Sequence, residues 1–224
     1  MLKFSNHAAL LSLLIFSLLA HGLSMHARAG EVSGKITLLS RSSDSAPWAP
    51  AATNEGAIVY ITGFDEPPAS GKAIPTLGQK GKAFQPRSLA VTAGDTVNFR
   101  NDDEVYHNVW SFDLGSYKMG EERKITFEKP GLVKVFCNIH PEMISSILVL
   151  KNNKYVTTDK DGKYRLQGLK PGNLQVRVWV EGAEPVSKEI KITKDSKAVE
   201  NFEINVTPPS VEHLNKLGKP YPKY

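Results

Sequence analysis

Phe136-Cys137-Asn138-Ile139-His140-Pro141-Glu142-Met143 contains the only cysteine of the 224-residue chain, and His107 stands thirty residues before it in a strand-like segment. A thiolate, two imidazoles and a thioether are the donor set of a mononuclear blue-copper site. Soft sulfur favours the cuprous ion, imidazole suits both oxidation states, and a weak axial Met tunes the potential. The candidate ligands are therefore His107, Cys137, His140 and Met143, for one copper per chain. Taken singly, each has an ordinary explanation: Cys137 as a small buried hydrophobe, Met143 as core packing, the histidines as surface residues. The C-x2-H-x2-M spacing together with a remote His argues against four such coincidences.

The beginning of the chain sets the redox compartment. Lys3, an apolar stretch from Ala8 to Ala20 and the small-x-small site Ala27-Arg28-Ala29 form the pattern of a secretory signal peptide over residues 1–29. The apolar core is short for a membrane span; a retained N-terminal anchor is the alternative. A mature chain from Gly30 is expected to have no integral membrane span and to be periplasmic or secreted. There a lone free thiol calls for an explanation, and copper ligation supplies one. With no second cysteine, an internal disulfide and Cys-rich zinc or iron–sulfur sites are excluded. Cleavage removes Lys3 and Arg28 and no acid, leaving 26 basic residues against 23 acidic ones. That balance, with lysines scattered among acids, does not predict nucleic-acid binding.

Along the mature chain the period is that of strands. Ser33–Leu39 and Ala57–Thr62 flank a Ser/Pro/Ala-rich loop, and Glu66–Lys82 reads as loop. Further strands are expected at Ser88–Val91, Thr96–Arg100, Asn108–Phe112, Lys124–Phe127, Val133–Phe136 and Ile144–Leu150. Many short strands between Gly, Pro and Asp turns predict an all-β antiparallel sandwich or barrel.

These residues resemble the cupredoxin family, and within it plastocyanin and amicyanin. Phe84-Gln85-Pro86, Gly94-Asp95-Thr96-Val97, Phe99-Arg100-Asn101 and His107-Asn108-Val109 are similar to the family's path into its first histidine ligand. Pro130-Gly131 followed five residues later by Cys137 resembles the approach to the thiolate. Cys137-x-x-His140-Pro141-x-Met143 looks most like the short ligand loop of amicyanin. The resemblance covers residues 84–150 well and 31–64 loosely. It implies a Greek-key β-sandwich with His107, Cys137 and His140 as the trigonal set and Met143 axial. It also implies that Asn108 is the residue tying the two ligand loops together near the sulfur. Ile139 stands where many members have Pro. Glu142 stands where members commonly expose apolar docking surface, so a docking patch at Pro141 and Glu142 would favour a basic partner.

After Leu150 the character changes. Thr158-Asp159-Lys160-Asp161-Gly162-Lys163-Tyr164-Arg165-Leu166 reads as a hairpin with Asp-Gly at its turn, and Leu169-Lys170-Pro171-Gly172 as a second turn. Strands follow at Leu174–Val180, Lys188–Ile192 and Val199–Val206. The run resembles the transthyretin-like carboxypeptidase regulatory domain. Asp159 and Asp161 fit turn chemistry better than calcium ligation, because the later carboxylates of an EF-hand are missing. The simple order places a cupredoxin domain at 30–150, a smaller transthyretin-like sandwich at 151–206 and a tail at 207–224, flexible or laid along the surface, in which His213 is solvated. In the alternative order, strands at Gly34–Leu39 and Ala57–Thr62 complete the second sandwich and the copper domain is inserted between its parts.

Two functions are open: an electron carrier between unidentified redox partner proteins, or a copper-binding, copper-tolerance protein whose metal is cargo, with the second sandwich as docking module. An enzyme is disfavoured, because after residue 29 only His107, His140 and His213 remain to build a second copper centre.

Overall fold

Ile58-Val59-Tyr60-Ile61 is apolar at every position, the pattern of a strand buried on both faces. The computed structural model bears this out and describes residues 29–66, 73–207 and 213–221. The expected signal peptide, with Lys3 and Ala8–Ala20, lies outside the described residues apart from Ala29. Among the described residues no helix is long and apolar enough to cross a membrane.

The chain is all-β. It opens with β1 (Gly30–Ser40), β2 (Ala49–Pro50) and β3 (Ile58–Thr62). It continues with β4 (Thr76–Gln79), β5 (Phe84–Gln85), β6 (Ser88–Thr92), β7 (Thr96–Asn101), β8 (His107–Asn108), β9 (Ser116–Tyr117), β10 (Glu122–Thr126), β11 (Gly131–Phe136) and β12 (Ile144–Leu150). It closes with β13 (Tyr155–Thr157), β14 (Lys163–Leu169), β15 (Gly172–Trp179), β16 (Val186–Ile192), β17 (Lys197–Val199) and β18 (Phe202–Asn205).

Residues 76–150 make one sandwich. One sheet runs β10-β7-β4-β5 and the other β11-β12-β6. Between them Leu77, Phe84, Val97, Phe99, Val135, Cys137, Met143, Ile147 and Val149 form a core. The segment expected as a strand at Asn108–Phe112 keeps only Asn108, the end of β8, in strand and then turns as a 3-10 helix at Trp110–Phe112. The Ser111 hydroxyl there accepts the Phe136 N–H at 3.1 Å, so the turn braces the cysteine strand instead of extending its own.

The serial order expected from the sequence is corrected by the strand pairing. β1 runs antiparallel to β14 and parallel to β17 and β18, while β3 pairs with β13 and β15. The second sandwich is thus assembled from both ends of the chain, and the 76–150 sandwich is inserted into it. The physical reason is the core: Tyr164, Leu166, Leu174, Val176 and Ile192 are buried against Val32, Ile36, Leu38, Val59 and Ile61. Residues 151–206 alone would leave that face wet.

Alternation then welds the two sandwiches. Val59 and Ile61 face the second core, while Ile58 and Tyr60 face outward onto Ala90, Leu148, Leu150 and Trp179. Lys134 and Ser146, from the inserted sandwich, both bond the Glu181 carboxylate across this junction.

The hairpin expected at Asp161-Gly162 is also revised. The turn forms, with Gly162 N–H donating to Asp159 O at 2.9 Å and the Asp159 carboxylate accepting the N–H groups of Asp161 and Lys163 at 3.0 and 2.8 Å. Its strands nevertheless part, β13 to one sheet and β14 to the other. Gly162 has φ +79° and lies against β1, where an added Cβ would come within 2.0 Å of the Ile36 carbonyl.

Gly162→Ala is expected to cost about 1–3 kcal/mol of stability through that overlap, read as a lower urea midpoint; an unchanged midpoint would refute the close approach. A fragment of residues 146–205 is expected to show no cooperative unfolding transition, because β1 and β3 are missing from its core. Cooperative unfolding of that fragment would mean that the serial order is the folding unit after all.

Candidate metal centre

The loop between β7 and β8 is folded back on itself by Asn101, which is wholly buried. Its amide donates to the carbonyls of Val105 and Tyr117, each at 2.9 Å, and its oxygen accepts the Asp103 N–H at 2.8 Å. Asp103, four residues before His107, is thereby placed with its carboxylate 2.8 Å from His107 Nε2. The same carboxylate accepts the N–H groups of Gly81 and Lys82. Burial by itself would raise the Asp103 carboxyl; the Lys82 N–H, the His107 ring and the Gly81 N–H outweigh it, and the pKa is lowered.

With its Nε2 proton held by Asp103, the neutral His107 ring presents an unprotonated Nδ1. That atom lies 3.1 Å from His140 Nδ1 and 3.9 Å from Cys137 Sγ, and Sγ is 3.7 Å from His140 Nδ1. An ion bound at about 2.0–2.3 Å from nitrogen and sulfur needs ligand atoms roughly 3.3–3.8 Å apart; the three separations fall within a few tenths of an ångström of that range, so the atoms stand round a gap close to metal size. Among the described residues they are the one such cluster of His, Cys and acid side chains. The donor set of one thiol and two imidazoles suits copper and is poor in the carboxylates that magnesium or calcium require.

β11 delivers Cys137, which is wholly buried, and backbone bonds shape the loop after it. Cys137 N–H donates to Met143 O at 3.2 Å and Met143 N–H to His140 O at 3.1 Å. Met143 is therefore returned to the core beside Cys137, also without exposure. Burial pushes the Cys137 thiol up, but the His107 ring and the N–H groups of Asn108, Ile139 and His140 outweigh it, and the thiol is lowered overall. His107 is depressed by burial and raised more strongly by Cys137 and Asp103; His140 is lowered by burial and by its neighbour His107. The two rings thus differ in proton affinity although they share one site.

Asn108 joins the two ligand loops through its backbone. Its carbonyl accepts the Asn138 N–H at 2.8 Å, and Val109 bridges to Cys137. The Asn108 side chain donates to the Ser116 hydroxyl at 3.3 Å. Pro141 and His140 are half-buried and Glu142 is exposed. The expectation of a solvated His213 is corrected: His213 Nε2 donates to the Pro141 carbonyl at 2.7 Å, and Tyr221 and Lys216 also bond the ligand loop, so residues 213–221 lie along it. Sequence reasoning missed Asp103 and these tail residues. The available signal for Asp103 was an acid four residues before a candidate ligand in a tight polar loop; for the tail there was none.

The family model for a carboxypeptidase regulatory-like domain matches residues 146–205. No curated protein matches the chain. Among solved structures, the chain is similar to a purple cupredoxin from Nitrosopumilus maritimus, at 22% identity over 34% of this chain and 98% of that one, TM-score 0.32. It is similar to amicyanin from Paracoccus versutus at 22% identity over 40% and 97%, TM-score 0.32. It is also similar to a copper-containing nitrite reductase from Thermus scotoductus SA-01 at 28% identity over 41% of this chain and 28% of that one, TM-score 0.34.

Asp103→Asn is expected to leave His107 as a mixture of tautomers in the metal-free protein, visible in ring nitrogen NMR shifts, and to weaken copper binding by about 10–100-fold. A single Nε2–H tautomer in the variant would show that Asp103 does not set the ring.

Proposed function

We propose that the chain is a type 1 copper protein that carries single electrons between protein partners. His107, Cys137 and His140 hold the metal and Met143 is the weak axial ligand. The reading rests on one observation: three donor atoms of the right chemistry stand at metal-ion spacing in the folded chain, with the thiol lowered. Copper bound there would supply a reversible one-electron change. The protein's part is to keep the donors still. One histidine is fixed by Asp103 and the other three donors sit on a loop closed by its own backbone, so a change of charge meets little movement. Half-buried His140, beside exposed Glu142, is the port to a partner. The export pattern of residues 1–29 and the lone thiol support a periplasmic or secreted location. The small number of histidines supports a carrier without enzymatic activity.

A second reading, copper as cargo, is favoured by the tail, which bonds the ligand loop at Cys137, Asn138 and Pro141 and narrows partner access on that flank. A relay keeps its metal through repeated reduction and reoxidation; cargo is lost to a chelator in the cuprous state.

The cupric protein is expected to show an intense thiolate-to-copper absorption band that Cys137→Ser abolishes, because a hydroxyl cannot replace the soft thiolate. Equal colour in that variant overturns the site. Met143→Leu is expected to retain copper and raise the potential, since loss of the axial donor favours the cuprous ion; an unchanged potential would remove Met143 from the ligand set.

A further inference from the structure

The segment 213–221 makes a set of contacts concentrated on one target. Tyr221 donates its hydroxyl proton to the Cys137 carbonyl at 2.7 Å, Lys216 N–H donates to Asn138 Oδ1 at 2.9 Å, and His213 Nε2 donates to the Pro141 carbonyl at 2.7 Å. Three acceptors along five residues of the ligand loop are thus taken by one short segment. Lys216 also pairs with Asp113, at 3.5 Å, just past the turn that braces Phe136.

The surface under the segment is aromatic. Trp110 stacks on Phe136 with ring centroids 5.3 Å apart and planes 17° from parallel. His213 covers Phe136 at 4.6 Å, and Tyr221 meets His213 edge-on at 5.2 Å. The segment holds its own shape: Asn215 accepts the N–H groups of Leu217 and Lys219, which turns Leu214 and Leu217 outward, 52% and 71% exposed. It therefore sits with its polar donors and rings against the loop and its leucines toward solvent, which is the reverse of what hydrophobic collapse alone would give.

We infer that residues 213–221 are a latch on the ligand loop. Seated, the segment holds Cys137, Asn138 and Pro141 in place and limits access to the buried thiol and to any ion held there; released, it frees the loop to open and exchange its metal. Cys137 has no exposure in the closed form, so a reagent reaches it only through local opening, and each bond broken in opening makes that state rarer. A hydrogen bond contributes about 0.5–1.5 kcal/mol net, so loss of one is expected to raise the opening rate roughly 2- to 10-fold.

The test uses the full chain without metal. The rate at which an aromatic disulfide reagent labels Cys137 is expected to rise roughly 2- to 10-fold in His213→Ala and in Tyr221→Phe and further in the double variant, while Leu217→Ser, at the outward face, stays at the parent rate. Hydrogen exchange reads the same event directly: the Lys216 amide is slow in the parent and fast in Asn138→Ala. Equal labelling in all variants, or a fast Lys216 amide in the parent, overturns the latch. A copper arm rests on the proposed function: release to a chelator follows the labelling order. If labelling follows that order and copper never binds, the copper reading fails and the latch stands as a guard of the thiol. If copper binds with its band and neither labelling nor release responds, the latch fails and the copper reading stands.

Discussion

A sulfur atom with no exposure to solvent, whose thiol is nonetheless lowered, is the constraint on which the arrangement of residues 76–150 depends. An isolated thiolate in an apolar core is strongly disfavoured. Here burial is outweighed by the neighbouring His107 ring and by the N–H groups of Asn108, Ile139 and His140. Each donor has its own support. Asn101 and Asp103 hold the His107 loop, the Met143 carbonyl closes the cysteine loop, and the Asn108 carbonyl fastens one loop to the other. The backbone carries most of this work, so the side chains of the ligand loop remain available as donors.

The insertion explains how a small sandwich can hold such a site. Chain entry and exit lie together: Ile61 N–H bonds Lys154 O at 2.9 Å, and the Asn152 amide donates to the carbonyls of Ile61 and Phe64 at 3.0 and 3.1 Å. Adjacent ends are the condition under which one domain accepts another within a loop. The gain is mutual. β3 and β12 are each buried on both faces, so the inserted sandwich covers Ile58 and Tyr60 while its own Leu148 and Leu150 are covered in return.

Local features were legible in the sequence and long-range ones were not. The Cys137 to Met143 loop, the Asp159 to Gly162 turn and most strands rest on neighbours in the chain, and each was readable from spacing and turn chemistry. The pairing of β1 with β17 and β18 joins residues more than 160 positions apart in parallel, and nothing in either strand's pattern specifies that partner. The alternative order already named the strands at Gly34–Leu39 and Ala57–Thr62 as completing the second sandwich, but strand pattern alone did not decide between it and the serial order. Asn101 stood out only within the motif Phe99-Arg100-Asn101 and Asp103 not at all, because their work depends on the fold bringing Gly81, Lys82 and His107 round them. The tail was illegible for a related cause: its prolines and lysines fit a solvated segment, and its contacts exist only because the ligand loop is already shaped to accept them.

The tail also gives the second sandwich a role at the site. The segment follows β18, which is pinned beside β1, and Thr207 N–H is held by the Gly182 carbonyl at 2.9 Å. Bonds made within one chain do not meet the entropy cost of bringing two molecules together, so a few hydrogen bonds that would be negligible between free molecules are enough to seat the segment. The same weakness lets it lift without disturbing either core, since none of its bonds belongs to a sheet. Because the inserted sandwich interrupts the host strands, the ligand loop and the host's C-terminal segment come from distant parts of the chain and still meet. The host is then more than a pedestal: it holds one end of a closure whose other end is the loop carrying Cys137.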